Sequence, residues 1–298
     1  MTLPPFTGPA AMAAAHAACA AVGLSATGAY LRKPPSDNAV VILPAQRLVA
    51  RIGADASHRA RLATELATAR WIAGRGIPVT RPAEHLPQLL RIQGRIVTWW
   101  HQLTGRGAGR PAALAALLRR LHGEPPPWPP LPAFDPWARL REHIDGATGL
   151  SPADRDFLHR HRAELRAEWS ARAAATHPVA VVHGDAHHGN TFVREDGTAV
   201  LLDLENVTIG PPQWDTAVAV VYHRIGWYDD AAYASYVRAY GHDPAQDPHI
   251  DLHARIRMLR MTAWYASRTD REPWIVEQVR HRVDTLRDGG QPVRWRPG

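Results

Sequence analysis

Three polar residues in the middle of the chain, Asp185, Asn190 and Asp203, are of the types that catalyse phosphoryl transfer. This reaction needs a carboxylate that orients and deprotonates the attacking hydroxyl group, and oxygen ligands that hold Mg²⁺ against the phosphates. Asp185 precedes Asn190 by five residues in a polar loop, and an amide and a second carboxylate are suitable magnesium ligands. The spacing therefore predicts one base and two metal ligands.

The segments around this loop have the pattern that would bring these side chains together. The apolar run 179–182 is typical of a buried strand. Two further β-like runs flank the pair Asp196-Gly197, and Asp-Gly between such runs indicates a hairpin. A hairpin places its two ends side by side, roughly 5 Å apart. Asn190 enters this hairpin and Asp203 leaves it, so both are predicted to reach one metal ion.

The block from His183 to Asn190 resembles the catalytic loop of the aminoglycoside phosphotransferase and choline kinase-like family of small-molecule kinases, whose signature is close to H-G-D-x-H-x-x-N. His183, Asp185 and Asn190 match a spacing that protein kinases also have. His187 matches the inner histidine of the signature, whereas His188 stands where the family often has proline. The resemblance covers about residues 24–290.

The resemblance implies a two-lobed, protein-kinase-like α+β fold. Residues 1–100 would form a nucleotide-binding lobe around a small antiparallel β-sheet, and residues 101–298 a larger, mainly helical lobe for catalysis and acceptor binding. It also implies magnesium-dependent transfer of the γ-phosphoryl group from ATP or GTP to a hydroxyl group of an antibiotic, a sugar or another small metabolite. Asp185 would be the base, and Asn190 and Asp203 would hold Mg²⁺, assisted by Glu205.

Arg51 is predicted to bind the nucleotide phosphates. It closes the third β-like run, where protein kinases place a lysine, and the only lysine of the chain, Lys33, lies in a turn. A 3.6-residue period over residues 57–73 predicts a helix whose apolar stripe contains Leu62 and also Glu65. Because a buried carboxylate needs a partner, Glu65 is expected to pair with Arg51. The alternative is that Glu65 lies at the solvent margin.

Further nucleotide contacts are predicted from position in the first lobe. The turn cluster 33–38 lies where a kinase-like lobe covers the phosphates, and Ser36 with backbone N–H groups would form the cradle, although an ordinary hairpin turn explains the same residues. The last strand of a five-stranded sheet ends at Trp100, and the connector that begins at His101 would contact the adenine through its backbone. The glycine-rich residues 105–109 are interpreted as a flexible link.

The second lobe is predicted to be helical. Helices are expected over residues 111–122, 151–175, 257–267 and 272–286. Another is expected to open near residue 135, and one to follow residues 210–215 and run to about residue 225. Asp215 is expected to brace the catalytic loop, as a matching aspartate does in the family. Tyr233, Tyr236 and Tyr240 share one helical face, where core packing is favoured over an aromatic wall for a substrate.

The charge of the predicted acceptor segment, residues 222–256, favours an acceptor with little positive charge. The segment contains three arginines and five aspartates, which are Asp229, Asp230, Asp243, Asp247 and Asp251. A polycationic aminoglycoside needs several carboxylates, because each ammonium group must be paired when it leaves water. Two of the five lie beside prolines in an apparent exposed turn. The acceptor is therefore expected to be a neutral or singly charged hydroxylated compound.

Length, charge and composition weigh against several other classes. A chain of 298 residues exceeds the usual single-domain size, so two packed lobes are expected. The net charge of +7 comes from arginines spread over the chain, so no nucleic acid partner is expected. No membrane span is expected, and the alanine-rich residues 10–21 are predicted to form an amphipathic or surface helix. The single cysteine, Cys19, suits the cytoplasm, where the protein would be a monomer or homodimer.

Three alternative functions compete with a small-molecule kinase. His183, His187 and His188 with Asp185 could be zinc ligands, but Gly184 within this run indicates a loop rather than the rigid spacing of a zinc site. A nucleotide-binding regulatory module without turnover could retain the same fold. A kinase that acts on serine or threonine of a peptide needs the same chemistry, but no activation segment is recognisable between residues 203 and 214.

Overall fold

The structure, a computed structural model, describes residues 5–32, 35, 38–128, 130–172, 179–270, 272–289 and 293–296. The α-helices are α1 (Gly8–Ala21), α2 (Arg59–Gly74), α3 (Pro111–His122), α4 (Leu140–Asp145), α5 (Pro152–Arg172), α6 (Gln213–Arg224), α7 (Asp230–Tyr240), α8 (Ile250–Ala266) and α9 (Val276–Arg287). The strands are β1 (Tyr30–Leu31), β2 (Asn38–Leu43), β3 (Leu48–Gly53), β4 (Leu90–Ile92), β5 (Arg95–His101), β6 (Gly105–Ala108), β7 (Ala180–Val182), β8 (Thr191–Arg194), β9 (Ala199–Leu201) and β10 (Thr208–Gly210). The predicted α+β class is confirmed.

The chain forms two compact units, and neither is continuous in sequence. The first contains residues 1–109 and 189–207, and the second contains residues 110–188 and 208–298. The hairpin of β8 and β9 belongs to the first unit because Leu201 N donates to Pro78 O and Thr80 N donates to Leu201 O, both at 3.0 Å. The division into lobes 1–100 and 101–298 remains a prediction, from which these units differ by this hairpin and by residues 101–109.

The first unit is built on the predicted antiparallel sheet of five strands, and the structure shows their order to be β1-β2-β3-β5-β4. Val41, Ala50 and Trp99 are completely buried in its core. Arg51 is paired in register with Val40 on one side and Thr98 on the other. Neighbouring strands on both sides hold its backbone, so the sheet fixes where this side chain begins.

The alanine-rich helix α1 packs against this sheet instead of lying free at the surface. Its buried side chains follow helical spacing and are Ala11, Ala14, Ala15, Ala18 and Cys19. Small side chains let a helix backbone approach a sheet closely, and deletion of their methyl groups would leave voids. The predicted helix is therefore confirmed, and its alanine face belongs to the core of the first unit.

Residues 105–108 form strand β6, so the interpretation of residues 105–109 as a flexible link was wrong. β6 is antiparallel to β8, and Gly109 N donates to Thr191 O at 3.0 Å. Gly105 has a φ of +153°, and a side chain there would overlap the backbone of β8. A side chain at Gly109 would overlap Thr191. The glycines therefore allow the backbones of β6 and β8 to approach closely, which is one of the reasons that strands contain glycine.

The second unit is mainly helical, and α3 spans the predicted residues 111–122. The helix expected to open at residue 135 begins only at Leu140, because Asp135 accepts the N–H of Trp137 at 2.8 Å and Arg139 has a φ of 59°. A side chain that bonds the backbone two residues on forms a turn that competes with a helix. Helix α8 begins at residue 250, seven residues before its predicted start.

The remaining expectations for this unit agree with the structure in part. Tyr236 and Tyr240 on α7 are buried, which confirms core packing as the reason for their spacing. Helix α5 ends at Arg172, and residues 173–175 of the predicted helix lie outside the described residues. Within the described part of the chain, no helix combines the length and the apolar character that crossing a lipid bilayer requires.

Candidate active site

The predicted metal ligands Asn190 and Asp203 stand at the two ends of the β8–β9 hairpin. Thr191 and Leu201 are paired in register, and Leu202 N donates to Asn190 O at 2.9 Å. The turn of the hairpin is closed by Asp196, which accepts the N–H of Thr198 at 2.8 Å. The predicted hairpin is therefore confirmed, and its pairing brings both ends to the same place in the first unit.

Asp203 has a left-handed backbone conformation, with φ 55° and ψ 65°. Only asparagine, aspartate and glycine adopt this conformation readily, and other residues in it cost of order 1–3 kcal/mol. The turn redirects the chain out of β9 into a short 3₁₀ segment, Leu204–Asn206. The backbone at this point is therefore shaped to present the Asp203 side chain rather than to continue the strand.

Arg51 on β3 forms an ion pair with Glu65 on α2, as the sequence predicted. The side chain of Glu65 is completely buried and that of Arg51 is 12% exposed, so the alternative position of Glu65 at the solvent margin is wrong. Burial alone would lower the pKa of Arg51, but the negative charges of Glu65, Asp203 and Glu205 outweigh it and raise the pKa. Arg51 therefore remains a fixed positive charge.

The same guanidinium group faces the carboxylates at the end of the hairpin. Arg51 Nη2 lies 3.6 Å from Asp203 Oδ1 and 3.8 Å from Glu205 Oε2. Arg61 on α2 forms a second ion pair with Glu205. Two arginines and three carboxylates thus form one network inside the first unit, and Arg51 is at its centre.

The donor set at the hairpin fits a hard cation such as Mg²⁺. Asp203 Oδ1 is shielded from solvent and accepts no hydrogen bond from the part of the chain that the structure describes, and Arg51 Nη2 lies 3.6 Å from it. A buried carboxylate oxygen without a hydrogen bond is costly unless a cation or a water molecule takes that place. Asn190, which is 8% exposed, stands at the other hairpin end and would offer its amide oxygen as a second ligand. Mg²⁺ is commonly held by one or two protein oxygens together with substrate phosphates, which matches this set.

The residues expected to contact the base of the nucleotide lie in or beside the sheet. Trp100 is buried, its indole donates to Thr98 Oγ1 at 2.9 Å, and the Arg51 guanidinium lies 5.8 Å from its ring centre. The backbone N–H of His101 is bonded to Arg81 O at 2.9 Å, so this group is already used inside the first unit. Ser36 and Lys33 lie outside the described residues.

The predicted base, Asp185, lies in the second unit on the loop that follows β7. Strand β7 pairs with β10, and Val181 and Val182 are completely buried. Three residues after Val182, the backbone N–H of Asp185 donates to the ring Nδ1 of His183 at 3.3 Å, and His183 is itself fully buried. The chain therefore leaves a buried strand and turns immediately, and a hydrogen bond within the loop stabilises this turn.

Asp215 at the start of α6 braces this loop, which confirms the contact predicted for it. Its carboxylate accepts the backbone N–H of His183 at 2.6 Å and of Gly184 at 2.9 Å. It also contacts His122 Nε2 at 3.0 Å, and His122 Nδ1 in turn contacts Tyr240 OH at 2.8 Å. Burial acts to raise the pKa of Asp215, but the hydrogen bond from His122 and the positive charges around it lower the pKa overall.

The carbonyl group of Gly184 is held as firmly as its N–H. Trp214 Nε1 donates to it at 2.9 Å and Arg257 Nη2 donates to it at 2.7 Å. Arg257 was not found from the sequence, because a contact across 73 residues leaves no local pattern. The one available signal was an arginine within the apolar residues of a predicted helix, which indicates a buried partner.

The histidines of the loop do not form the zinc site considered from the sequence. His187 Nε2 lies 3.7 Å from Asp185 Oδ2, whereas His188 Nδ1 contacts Tyr228 OH at 3.2 Å. Among the described residues, no three His, Cys, Asp or Glu side chains are grouped so that they could hold a metal ion. A site with two protein oxygens and phosphate oxygens requires no such group.

The five aspartates of the segment 222–256 all have partners within the second unit. Asp229 caps α7 by accepting Ala232 N at 2.7 Å, and Asp230 contacts His223 at 2.8 Å. The three others bond as follows: Asp243 accepts from Tyr233 OH at 2.6 Å, Asp247 accepts from Gln213 Nε2 at 2.9 Å, and Asp251 pairs with Arg224 and Arg255 at 3.0 Å each. Caps and ion pairs explain these aspartates without a ligand.

One known protein family matches most of this chain. A sequence model of the phosphotransferase enzyme family matches residues 36–259, which include Arg51, Glu65 and the catalytic block. No curated protein sequence matches the chain.

Solved structures of similar fold include kinases named for different acceptors. A microcompartment-associated aminopropanol kinase is 17% identical, with a TM-score of 0.69 over 93% of this chain and 98% of its own. A choline/ethanolamine kinase family protein from Mesorhizobium loti is 22% identical, with a TM-score of 0.60 over 91% and 90% of the two chains. The aminoglycoside phosphotransferase APH(3″)-Id from Streptomyces rimosus, in complex with ADP and streptomycin, is 20% identical, with a TM-score of 0.62 over 85% and 97%. These likenesses show a shared fold.

Proposed function

Because the chain belongs to the phosphotransferase enzyme family, we propose that it transfers the γ-phosphoryl group of ATP or GTP, with Mg²⁺, to a hydroxyl group of a small molecule. The network of Arg51 with Glu65 and Asp203 is the observation that carries this proposal. Phosphoryl transfer depends on positioning and on neutralising charge, and kinases use such an ion pair between a strand and a helix to hold the phosphates.

The residues of the first unit would act on the donor. Arg51 would contact phosphate oxygens, and Glu65 would keep the guanidinium group in place, since arginine binds phosphate through a planar fork. Asn190 and Asp203 would hold the metal, and when bound Mg²⁺ supplies positive charge that offsets the developing charge on the phosphates. Trp100 and His101 would border the base, with Ser36 proposed for the phosphate cradle.

Asp185 would act on the acceptor. Its carboxylate would accept the hydrogen bond of the acceptor hydroxyl, orient the oxygen for attack and take up the proton as the new bond to phosphorus forms. The loop that carries it is fixed at both backbone polar groups of Gly184: its N–H donates to Asp215, and its C=O accepts from Trp214 and Arg257. Such a fixed backbone provides the positioning that this reaction requires.

The acceptor is proposed to be neutral or singly charged. Each of the five aspartates that could have bound a polycation already caps a helix or turn, or pairs with a neighbouring side chain. An aminoglycoside with several ammonium groups would have to break these contacts, which costs the stability they provide. Acceptors of the size of an amino alcohol or a simple sugar require no such change.

A kinase that acts on peptides is disfavoured by the length of chain after Asp203. Residues 204–206 form a 3₁₀ turn and Thr208–Gly210 form β10, which pairs with β7. The nine positions between Asp203 and α6 are mostly used by these elements and by Pro211 and Pro212. A long segment that could bind a peptide next to the metal ligands therefore has no place in this stretch of sequence.

A direct assay would test the proposed activity. The purified protein would be incubated with Mg²⁺ and ATP or GTP against aminopropanol, ethanolamine, choline, glycerol, glucose, streptomycin and kanamycin. We expect acceptor-dependent release of the nucleoside diphosphate and a phosphorylated product, both abolished by a chelator. Binding of nucleotide with no product from any acceptor in an extended panel of hydroxylated metabolites would favour the regulatory module instead.

A further inference from the structure

Arg257 on α8 is a buried arginine in the second unit. The proposed reaction gives it no role of its own beyond its contact with the catalytic loop. Arg257 is 7% exposed, and its neighbours in the helix, Ile256 and Met258, are buried apolar residues. Its guanidinium group lies 4.0 Å from the ring centre of Trp214. A buried guanidinium group is costly unless it is fully engaged, so its contacts indicate what it is retained for.

Among the described residues, every polar contact of Arg257 is with the catalytic loop or with Trp214, which precedes the bracing residue Asp215. Arg257 Nη2 donates to Gly184 O at 2.7 Å, and Nε donates to Trp214 O at 3.3 Å. Asp185 N, which belongs to the same peptide group as Gly184 O, donates to His183 Nδ1 at 3.3 Å, so the peptide group before Asp185 is held at both its oxygen and its nitrogen. Gly184 N, in the preceding peptide group, donates to Asp215 at 2.9 Å. Rotation of the peptide group before Asp185, which would redirect the Asp185 side chain, would break bonds on both sides.

The remaining nitrogen of the fork faces the carboxylate of the base itself. Arg257 Nη1 lies 3.9 Å from Asp185 Oδ1, which is within ion-pair distance but too long for a hydrogen bond. The positive charge of the guanidinium group therefore stands beside the carboxylate that the proposed function assigns to the acceptor hydroxyl group. His187 Nε2 lies 3.7 Å from the other oxygen, Oδ2, so each carboxylate oxygen has a side-chain nitrogen within 4 Å.

We propose that Arg257 is a positioning residue for the reaction, which sets the direction of the Asp185 carboxylate through the Gly184 peptide and keeps a positive charge beside it. This proposal rests on the proposed function, because it assigns Arg257 a part in the same transfer. If Arg257 only held α6 and α8 together, its substitution would change kcat by the same factor whether or not Asp185 is present.

A double-mutant cycle separates these two roles. Arg257→Met should lower kcat by about tenfold to a hundredfold, the effect expected when a reacting group is displaced by about 1 Å, with KM for ATP and the affinity for Mg-ATP changed less than about twofold. In the Asp185→Asn background the same substitution should lower kcat by less than about twofold, because the group that it positions is already lost. Arg257→Lys should recover part of kcat through its charge.

Arg260 provides the matched control on the same helix. It too lies over Trp214, at 5.7 Å from the ring, but it donates to the carbonyl groups of Pro136 and Ala138 instead of the catalytic loop. Arg260→Met should lower the free energy of unfolding by an amount similar to Arg257→Met while kcat stays within about threefold of wild type. Equal losses of kcat in the two variants, or a full additional loss in the Asp185→Asn background, would overturn the proposal.

The design distinguishes failure of this inference from failure of the proposed function. The acceptor from the panel with the highest turnover by the wild type is used throughout, so the wild-type rate is established first. A wild type that phosphorylates none of the panel compounds contradicts the proposed function, whereas an active wild type with an additive cycle contradicts only the role of Arg257. If Arg257→Met does not fold, the same cycle is measured with Arg257→Lys, for which a smaller but equally non-additive loss is expected.

Discussion

The guanidinium group of Arg51 is ion-paired with the fully buried carboxylate of Glu65, and the same group lies 3.6 Å from Asp203. One cation thus connects a strand, a helix and the end of the hairpin within the first unit. Removing either partner would leave a buried charge without compensation, which is more costly than replacing both. The guanidinium group of Arg51 would therefore already be oriented before phosphate oxygens bind to it.

Glu65→Gln should therefore weaken both stability and nucleotide binding. We expect the free energy of unfolding to fall by up to about 3 kcal/mol, at the low end for a broken buried pair because Arg51 still faces Asp203. KM for ATP should rise by about tenfold, since the fork is no longer oriented. Urea unfolding and initial-rate kinetics measure the two effects.

Glu84→Gln is the control for this substitution. Glu84 pairs with Arg70 at 2.8 Å on the surface of the same unit, with 56% of its side chain exposed. Exposed pairs contribute less than about 1 kcal/mol, so this variant should keep its stability and its KM. Equal changes in the free energy of unfolding and in KM for ATP in the two variants would show that burial of the Glu65 pair has no special role.

Asp203→Asn should separate metal binding from folding. Asparagine tolerates the left-handed conformation at φ 55°, so the free energy of unfolding should change by less than about 1 kcal/mol. Turnover should fall at least about a hundredfold, because a neutral amide is a weaker magnesium ligand than a carboxylate. Rates measured against Mg²⁺ concentration test this, with Asp196→Asn at the other end of the hairpin expected to behave as wild type. Full activity of Asp203→Asn at ordinary Mg²⁺ concentration would exclude Asp203 as a ligand.

The depressed pKa of Asp215 predicts how stability changes with acidity. A carboxyl group whose pKa is lower in the folded state stabilises the fold above its unfolded pKa, and this contribution is lost as pH falls through the folded value. The ordinary value is 3.8, so the wild type should exceed Asp215→Asn in stability by a constant amount from pH 8 to about 5. The difference in the free energy of unfolding between the wild type and Asp215→Asn should become smaller below about pH 3.8. Unfolding of both proteins over this range measures it, and a difference that widened in acid would contradict the assigned sign.

The sequence predicted those parts of the site that depend on local spacing. Asp185, Asn190 and Asp203 lie within one loop and one hairpin, whose geometry follows from the turn residues. Glu65 could be assigned to Arg51 because a carboxylate on an apolar helical stripe requires a buried cation. Both are cases in which one short pattern and one energetic rule leave few alternatives.

The features that escaped prediction depend on contacts that are distant in sequence. Nothing near Arg257 specifies Gly184, and nothing near His122 specifies Asp215, since each contact exists only after the second unit has packed. The glycines of β6 have the composition of a linker, and only the presence of β8 shows that they permit close approach. Asp135 likewise stops a helix by bonding its own backbone, which composition does not reveal.

The engagement of the five aspartates predicts the charge preference for acceptors. Kanamycin and streptomycin should be phosphorylated with kcat/KM at least about a hundredfold below that of the best neutral or singly charged compound, because several ammonium groups would lack partners. Competition between acceptors in one reaction measures the ratio directly. Efficient phosphorylation of kanamycin at micromolar concentration, or high-level resistance in cells that express the protein, would show that the acceptor site has carboxylates of its own.

Transfer of labelled γ-phosphate by the wild type and by Asp185→Asn tests the assigned chemistry most directly. With Mg-ATP and the best acceptor, the wild type should form a product in which the labelled phosphoryl group is attached to the hydroxyl oxygen of the acceptor. Asp185→Asn should form this product at least about a hundredfold more slowly, as expected for the loss of a positioned base. Both proteins should bind Mg-ATP with the same affinity, because Asp185 acts on the acceptor. Unchanged transfer by Asp185→Asn, with the same nucleotide affinity, would contradict the assignment of Asp185 as the base.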